Sequence, residues 1–182
     1  IAVCGASRAS ILTGVRGSKS RFVKYYTRAD EDLPKAITLA KLFKQNGYTT
    51  ASIGKIYHEW RDNFDEWDIY RNFREQRDYQ SKKTLRMIEK RKESNPNQPN
   101  NYIGPAWEYA DVEDDAYTDG KLTDFAIKTL GNFKDSQDPF FLAVGYVSPH
   151  LPFIQPKKYG EMYNDSDLTI SREKTIPRNA HN

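Results

Sequence analysis

Pro139-Phe140-Phe141-Leu142-Ala143-Val144-Gly145-Tyr146-Val147-Ser148-Pro149-His150 is the stretch that decides the fold. Phe140 to Val144 is apolar without alternation, which suits a strand buried on both faces of a parallel sheet rather than one with a wet side. An amphipathic helix precedes it. Leu122, Phe125, Ala126, Leu130 and Phe133 recur at helical spacing before Asp135–Asp138 breaks the pattern. Upstream the same order is found. Leu33, Ile37, Ala40 and Phe43 predict a helix with Asp32 as its N-cap and Pro34 in its first turn. Asn46-Gly47 stops it, and Tyr48 to Ile53 reads as a strand delivering Gly54-Lys55. Helix–strand repeated argues for an α/β architecture, a mixed but mostly parallel sheet flanked by helices. In such sheets ligands sit at the carboxyl ends of the strands. That topology brings Lys55, His58 and His150 to one edge.

The remaining organisation is simpler. Ile1 to Val3 reads as the end of a strand, and Ser7 to Leu12 as a short helix stopped by Thr13-Gly14, with Gly14 suited to a left-handed cap. Residues 15–31 are polar and basic and read as a long loop. Residues 60–117 are charged, aromatic and rich in Asn and Pro, and we expect an insertion on the core there, with a surface helix over Lys82 to Lys92 and a loop at Asn95–Asn101. The chain begins without an initiator Met and closes without a stop signal, so it is expected to be a partial domain cut at both ends.

Composition bounds the function classes. At 182 residues, with 37% apolar, 29% charged and 13% aromatic residues, the chain has room for a sizeable core. A formal charge of +3 implies no nucleic-acid footprint. No apolar run reaches membrane-spanning length, and no export signal lies within the chain. The single Cys cannot close an internal disulfide, so its position carries the information.

That Cys opens Cys4-Gly5-Ala6-Ser7-Arg8-Ala9-Ser10-Ile11-Leu12-Thr13-Gly14. A Cys at a strand-to-helix turn faces free N–H groups and the positive end of the helix dipole, which favours a thiolate and a bound anion. Arg8 lies one turn further along the same face. A buried free Cys beside a surface Arg is the plain alternative. A cysteine phosphatase needs its Arg six residues after the Cys, and Ser10 stands there. Gly54-Lys55-Ile56-Tyr57-His58 and Ser148-Pro149-His150-Leu151-Pro152-Phe153 supply the other cations, and two of the three His residues of the chain fall in them. A solvated Lys, a packed His and a turn-bracing His are the alternatives. His181 is read as incidental. The acids Asp111, Glu113, Asp114, Asp115 and Asp119 do not make an EF-hand, because Ala126 falls where the twelfth-position carboxylate is needed. A solvated acidic cap before the Leu122 helix is the preferred reading.

In their order and spacing these motifs resemble the sulfatase family of the alkaline phosphatase superfamily. The first matches the signature C-x-[PA]-S-R followed by L-T-G, with Ala6 where Pro is commoner. The Lys-x-x-His spacing and the stretch ending in Pro-His-x-Pro-Phe look more like the iduronate-2-sulfatase-like branch than the arylsulfatases. The resemblance implies that Cys4 is converted by a maturation enzyme to Cα-formylglycine, whose hydrate attacks sulfur. It implies that Arg8 supports that hydrate, Lys55 pairs with sulfate oxygens, His58 assists sulfate release, and His150 stands at the bridging oxygen. It also implies a divalent cation, usually calcium, held by Cys4 as formylglycine and by acidic pairs outside this chain, so the 182-residue piece alone is expected to be inactive. The expected substrate is a sulfated carbohydrate, with a 2-O-sulfated uronate as one candidate, and the expected compartment is periplasmic, secreted or lysosomal. A phosphoesterase of the superfamily, which would normally carry Ser or Thr at position 4, and a non-catalytic binder of sulfated glycans remain the alternatives.

Overall fold

A computed structural model of the chain describes residues 3–72, 79–94, 104–136, 138–169, 173 and 175. His181, the whole Asn95–Asn101 tract, and Ile1 and Ala2 of the expected first strand lie outside them. The centre is a parallel sheet of β1 (Thr49–Gly54), β2 (Ile69–Arg71) and β4 (Phe140–Gly145) in the order β2-β1-β4. A second, two-stranded parallel sheet pairs β3 (Trp107–Ala110) with β5 (Phe153–Pro156). Six α-helices are described: α1 (Cys4–Thr13), α2 (Ala29–Asp32), α3 (Leu39–Gln45), α4 (Lys82–Ser94), α5 (Thr118–Asp135) and α6 (Lys157–Gly160).

Alternation along the strands sorts the helices into layers. On one face of the sheet, Ile53 and Leu142 pack with Leu122, Phe125 and Ala126 of α5. Ile53 and Leu122 are 0% and 1% exposed, and each such side chain contributes about 1.5–3 kcal/mol by leaving water. On the other face Phe141 and Ala143 meet a cluster built from Ala6 and Ala9 of α1, Ala40 of α3, Phe22 and Trp67. Phe141 stacks on Phe43 at 4.5 Å between ring centroids. The α/β sandwich is therefore as the sequence predicts, although every described strand pair is parallel and none is antiparallel.

Several expectations are corrected. The strand Phe140–Val144 is covered by helices on both faces yet is not fully buried: Phe140 and Val144 keep 39% and 38% exposure, because β4 is the edge strand among the described residues. The helix expected from Asp32 starts instead at Leu39, with Thr38 as its N-cap accepting from Lys41 N–H at 3.2 Å. Asp32 ends α2, and its carboxylate accepts the Phe22 N–H at 2.7 Å, so it is not available as that cap. Within residues 60–117, β2, a strand that the sequence did not signal, pairs with β1. The helix at Cys4 begins three residues earlier than the apolar pattern suggests, and Gly14 closes it at φ 69°, in the left-handed region. The surface helix over Lys82–Lys92 forms and runs on to Ser94.

The turn after β1 rests on buried acids. Asp62 accepts the N–H groups of Ala29 and Asp30 at 2.8 and 3.1 Å and so caps α2, while Glu66 accepts the hydroxyl of Thr38. Burial pushes the Asp62 carboxyl up to about 6, against the two backbone donors that favour its charged form. Folded chains then bind more protons than unfolded ones between about pH 4 and 6, so this group's contribution to stability is largest at the acid end and declines as pH rises through that window. Asp62→Asn keeps an acceptor for the cap and removes the titration. The Tm of the variant minus that of wild type should be more positive at pH 7 than at pH 4, and a pH-independent difference in thermal melts would contradict the burial argument.

Gly54 generates a second expectation. Its φ is +82°, and a Cβ there would stand 2.1 Å from the carbonyl oxygen of Gly145 and 2.9 Å from Leu122. Gly54→Ala should destabilise the protein by about 2–5 kcal/mol, from backbone strain and overpacking together. Gly131, in α5 with nothing within 4 Å of its Cβ position, provides the contrast: its Ala variant should gain about 0.5–1 kcal/mol. Equal melting temperatures for the two variants would refute this account.

Candidate active site

Cys4 is exposed, in the first turn of α1, preceded by Val3 in extended conformation (φ −137°, ψ 144°). No side chain caps that helix end, so its first N–H groups have no capping acceptor from a side chain. α1 can lie close to the following loop because Gly5 has no side chain: a Cβ there would stand 2.1 Å from the Tyr25 carbonyl oxygen. A Gly at that place is a packing requirement.

Arg8 is the link between α1 and the sheet. Its Nη1 donates to the carbonyl of Lys55 and, at 2.8 Å, to that of Ile56. Gly54 and Gly145 bring β1 and β4 together where Lys55 leaves the sheet, and Lys55 N–H donates to the Gly145 carbonyl at 2.7 Å. Lys55 is 7% exposed. A groove of about 760 Å³ runs between α1 and β4, and Cys4, Ser7, Arg8, Lys55 and Gly145 line it, with Ile11, Leu12 and Phe141 among its apolar walls. The structure thus gathers Cys4, Arg8 and Lys55 around one cavity that combines fixed cations, a helix N-terminus and an apolar wall.

The two histidines are placed differently. His58 and His150 do not line that groove. His58 keeps 18% side-chain exposure, its Nε2 lies 3.7 Å from Glu59, and its ring meets Tyr25 edge-on at 6.1 Å. His150 is exposed in the loop after β4, between the cis peptides Ser148-Pro149 and Leu151-Pro152, and its Nδ1 lies 2.8 Å from the Leu151 carbonyl. Both stand after the carboxyl ends of their strands.

Sequence reasoning missed Asp119. Its carboxylate accepts the N–H groups of Val147 and Ser148 at 2.8 and 3.0 Å and so fastens the loop that carries His150 to the first turn of α5. The signal was an acid in a helix's first turn, read only as a dipole partner. Asp114 likewise is not merely solvated, because it pairs with Lys158 at 2.8 Å and accepts from the Tyr159 hydroxyl. Lys158 and Tyr159 hold the Asp114 carboxyl below the usual range. Among the described residues no group of three His, Cys, Asp or Glu converges as a metal site would require. The side chains present therefore do not by themselves make a site for a divalent cation, and no chemical step is assigned to one. Nor is any helix among them long and apolar enough to cross a membrane.

Comparison with known proteins bears on these motifs together. The chain is 31% identical to the iduronate 2-sulfatases of Mus musculus and Homo sapiens, over 97% of its own length and 32% of theirs. It is 29% identical to an arylsulfatase of Clostridium perfringens, over 91% of the chain and 37% of that protein. A crystal structure of a sulfatase from Pseudoalteromonas sp. covers 90% of the chain at 19% identity, with a TM-score of 0.45. The chain spans about a third of the length of the curated relatives it matches. The family model for sulfatases matches residues 2–181, and the chain belongs to the sulfatase family.

Proposed function

We propose that this chain is the nucleophile-bearing part of a hydrolase of sulfate esters, with Cys4, converted to Cα-formylglycine, as the nucleophile and a sulfated carbohydrate as substrate. The observation that carries the reading is the convergence of Cys4, Arg8 and Lys55 on one groove at the carboxyl end of β1. Family membership and the likeness to proteins named iduronate 2-sulfatase support sulfate ester chemistry, and a 2-O-sulfated uronate is the substrate proposed within it.

The roles follow from charge and position. Hydration of the aldehyde at position 4 gives two hydroxyls. One attacks sulfur and gives its proton to solvent, the bond from sulfur to the bridging oxygen breaks, and the alcohol leaves with a proton, for which His150 is the proposed donor. The second hydroxyl then gives up its proton, with His58 proposed to assist, and sulfate is expelled as the aldehyde re-forms. Lys55 offsets the charge on the sulfate oxygens, and it is effective because it is nearly buried, where water screens it little. The helix N-terminus at Cys4 supports the same negative charge. Arg8 spends its hydrogen bonds on the Lys55 turn, so its proposed part is to hold nucleophile and cation in register while its charge faces the hydrate. A formylglycine-generating enzyme is the proposed maturation partner, the further ligands of a divalent cation are proposed to lie elsewhere in a longer protein, and the compartment is proposed to be secreted, periplasmic or lysosomal.

The test uses the full-length protein co-expressed with a maturation enzyme. Intact-mass analysis should find the aldehyde in place of the Cys4 thiol, and Cys4→Ala should lower turnover of a sulfate ester by about 10⁴-fold or more. A protein that keeps an unmodified thiol and binds sulfated glycan without turnover would favour the binding alternative and end the catalytic one.

A further inference from the structure

We propose that the exposed stripe Lys83, Arg86 and Lys90 on α4 is a docking surface for a sulfated polysaccharide chain, separate from the groove that holds Cys4. The sulfate-ester reading supplies the class of polymer; the surface itself stands on charge and geometry.

Steps of three, four and seven residues place these three cations on one side of α4, Lys83 and Lys90 about 10 Å apart along the axis. All three are exposed. Among the described residues none of them has a carboxylate within ion-pairing distance, whereas Arg28, Lys44, Lys157 and Lys158 are each paired. Glu89, three residues from Arg86, and Glu93, three from Lys90 and seven from Arg86, border the stripe on its Arg86 side, while Lys83 has no acid of α4 at those spacings. Like charges at these spacings repel, and Glu89 and Glu93 offset that repulsion only on the Arg86 side. A polyanion laid along the stripe would relieve that repulsion. Met87, Arg91 and Ser94 border the same face, where a groove of about 480 Å³ runs between the side chains. α4 contains no aromatic residue on which nucleobases could stack, and the small net charge of the chain gives no broad field for nucleic acid. Both points favour the glycan.

The opposite side of α4 is fixed. Thr84 is buried, and the Glu108 carboxylate on β3 binds Thr84, accepts from the Gln80 N–H at 2.6 Å and from the Tyr117 hydroxyl at 3.0 Å. β3 in turn pairs with β5 in the register Trp107 to Phe153, and Phe153 follows His150 by three residues. The stripe is thus carried by a sheet whose strand begins next to a candidate site residue. A docked polymer would be held on the side of the molecule built on β3 and β5, outside the groove that Cys4 lines.

The experiment compares full-length wild type with two triple variants of equal charge. One reverses the stripe (Lys83→Glu, Arg86→Glu, Lys90→Glu). The other reverses exposed Lys35, Lys128 and Lys134 elsewhere. Affinity for a heparin oligosaccharide is measured by calorimetry at two salt concentrations, with an oligonucleotide of similar charge as competitor, beside turnover of a small sulfate monoester. The stripe variant should lose roughly tenfold or more in heparin affinity, with a weaker salt dependence, and should turn over the small ester as wild type does. Wild-type affinity in the stripe variant, an equal loss in the control, or displacement of heparin by the oligonucleotide at matching concentration would each overturn the proposal. Absence of turnover in wild type would count against the sulfatase reading alone, since heparin affinity decides the stripe independently.

Discussion

Everything at the candidate site depends on the guanidinium of Arg8 reaching across to the carbonyls of Lys55 and Ile56. Hydrogen bonds from a charged donor are worth about 1.5–3 kcal/mol each, and a guanidinium can hold two acceptors in one plane. A Lys at position 8 could not do so with the same geometry. The consequence is positional. α1 carries Cys4 in its first turn, β1 ends in Lys55, and without the bridge these are elements from separate layers. Gly5 and Gly54 serve the same end from opposite sides, because each admits a backbone contact that a Cβ would block at 2.1 Å.

Behind this bridge lies a set of buried polar groups whose place is structural. Asp62 and Glu66 are 2% and 4% exposed, and burial raises both carboxyls. Perturbed carboxyls in a fold of this kind invite a catalytic reading. Their partners argue otherwise: Asp62 spends its oxygens on the α2 N–H groups, and Glu66 accepts from the side chain that caps α3. They tie the segment after Lys55 to α2 and α3, the last two of the three helices that precede β1. The cost of burying them is offset by backbone and hydroxyl donors, as such burial requires.

How much of this could be read in the sequence follows from how local each signal is. Gly14, the apolar stripe of α5 and the strands ending at Gly54 and Gly145 are set by residues within a few positions of one another, and they appear where periodicity and turn chemistry place them. The start of α3 is different. Asp32 is a good cap by type, but the backbone of Phe22, ten positions away, takes its carboxylate, and Thr38 takes the cap. β2 is only Ile69-Tyr70-Arg71, too short for any alternation to show, and it is a strand because β1 lies beside it. At the site, the type and order of Cys4, Arg8 and Lys55 were legible, and their meeting at one groove required the fold. The role of Asp119 was not legible, because its acceptors lie 28 and 29 positions away in sequence.

The two sets of cations differ in a way that bears on how one protein would handle a charged polymer. Lys55 is nearly out of water and held beside an apolar wall, so its field at an anionic group in the groove is strong and little screened. Lys83, Arg86 and Lys90 stand in solvent, where each contact is weak, screened within about 8–10 Å and indifferent to which anionic group it meets. On the proposed reading, discrimination among sulfate positions would belong to the groove, and capture of a long chain to the helix. If the helix held the polymer as tightly as a buried site could, the chain would not slide, and only the sulfate that happened to lie at the groove would be reached. Weak, repeated contacts would leave such a polymer free to advance, which charges exposed on a helix permit and a buried set would not.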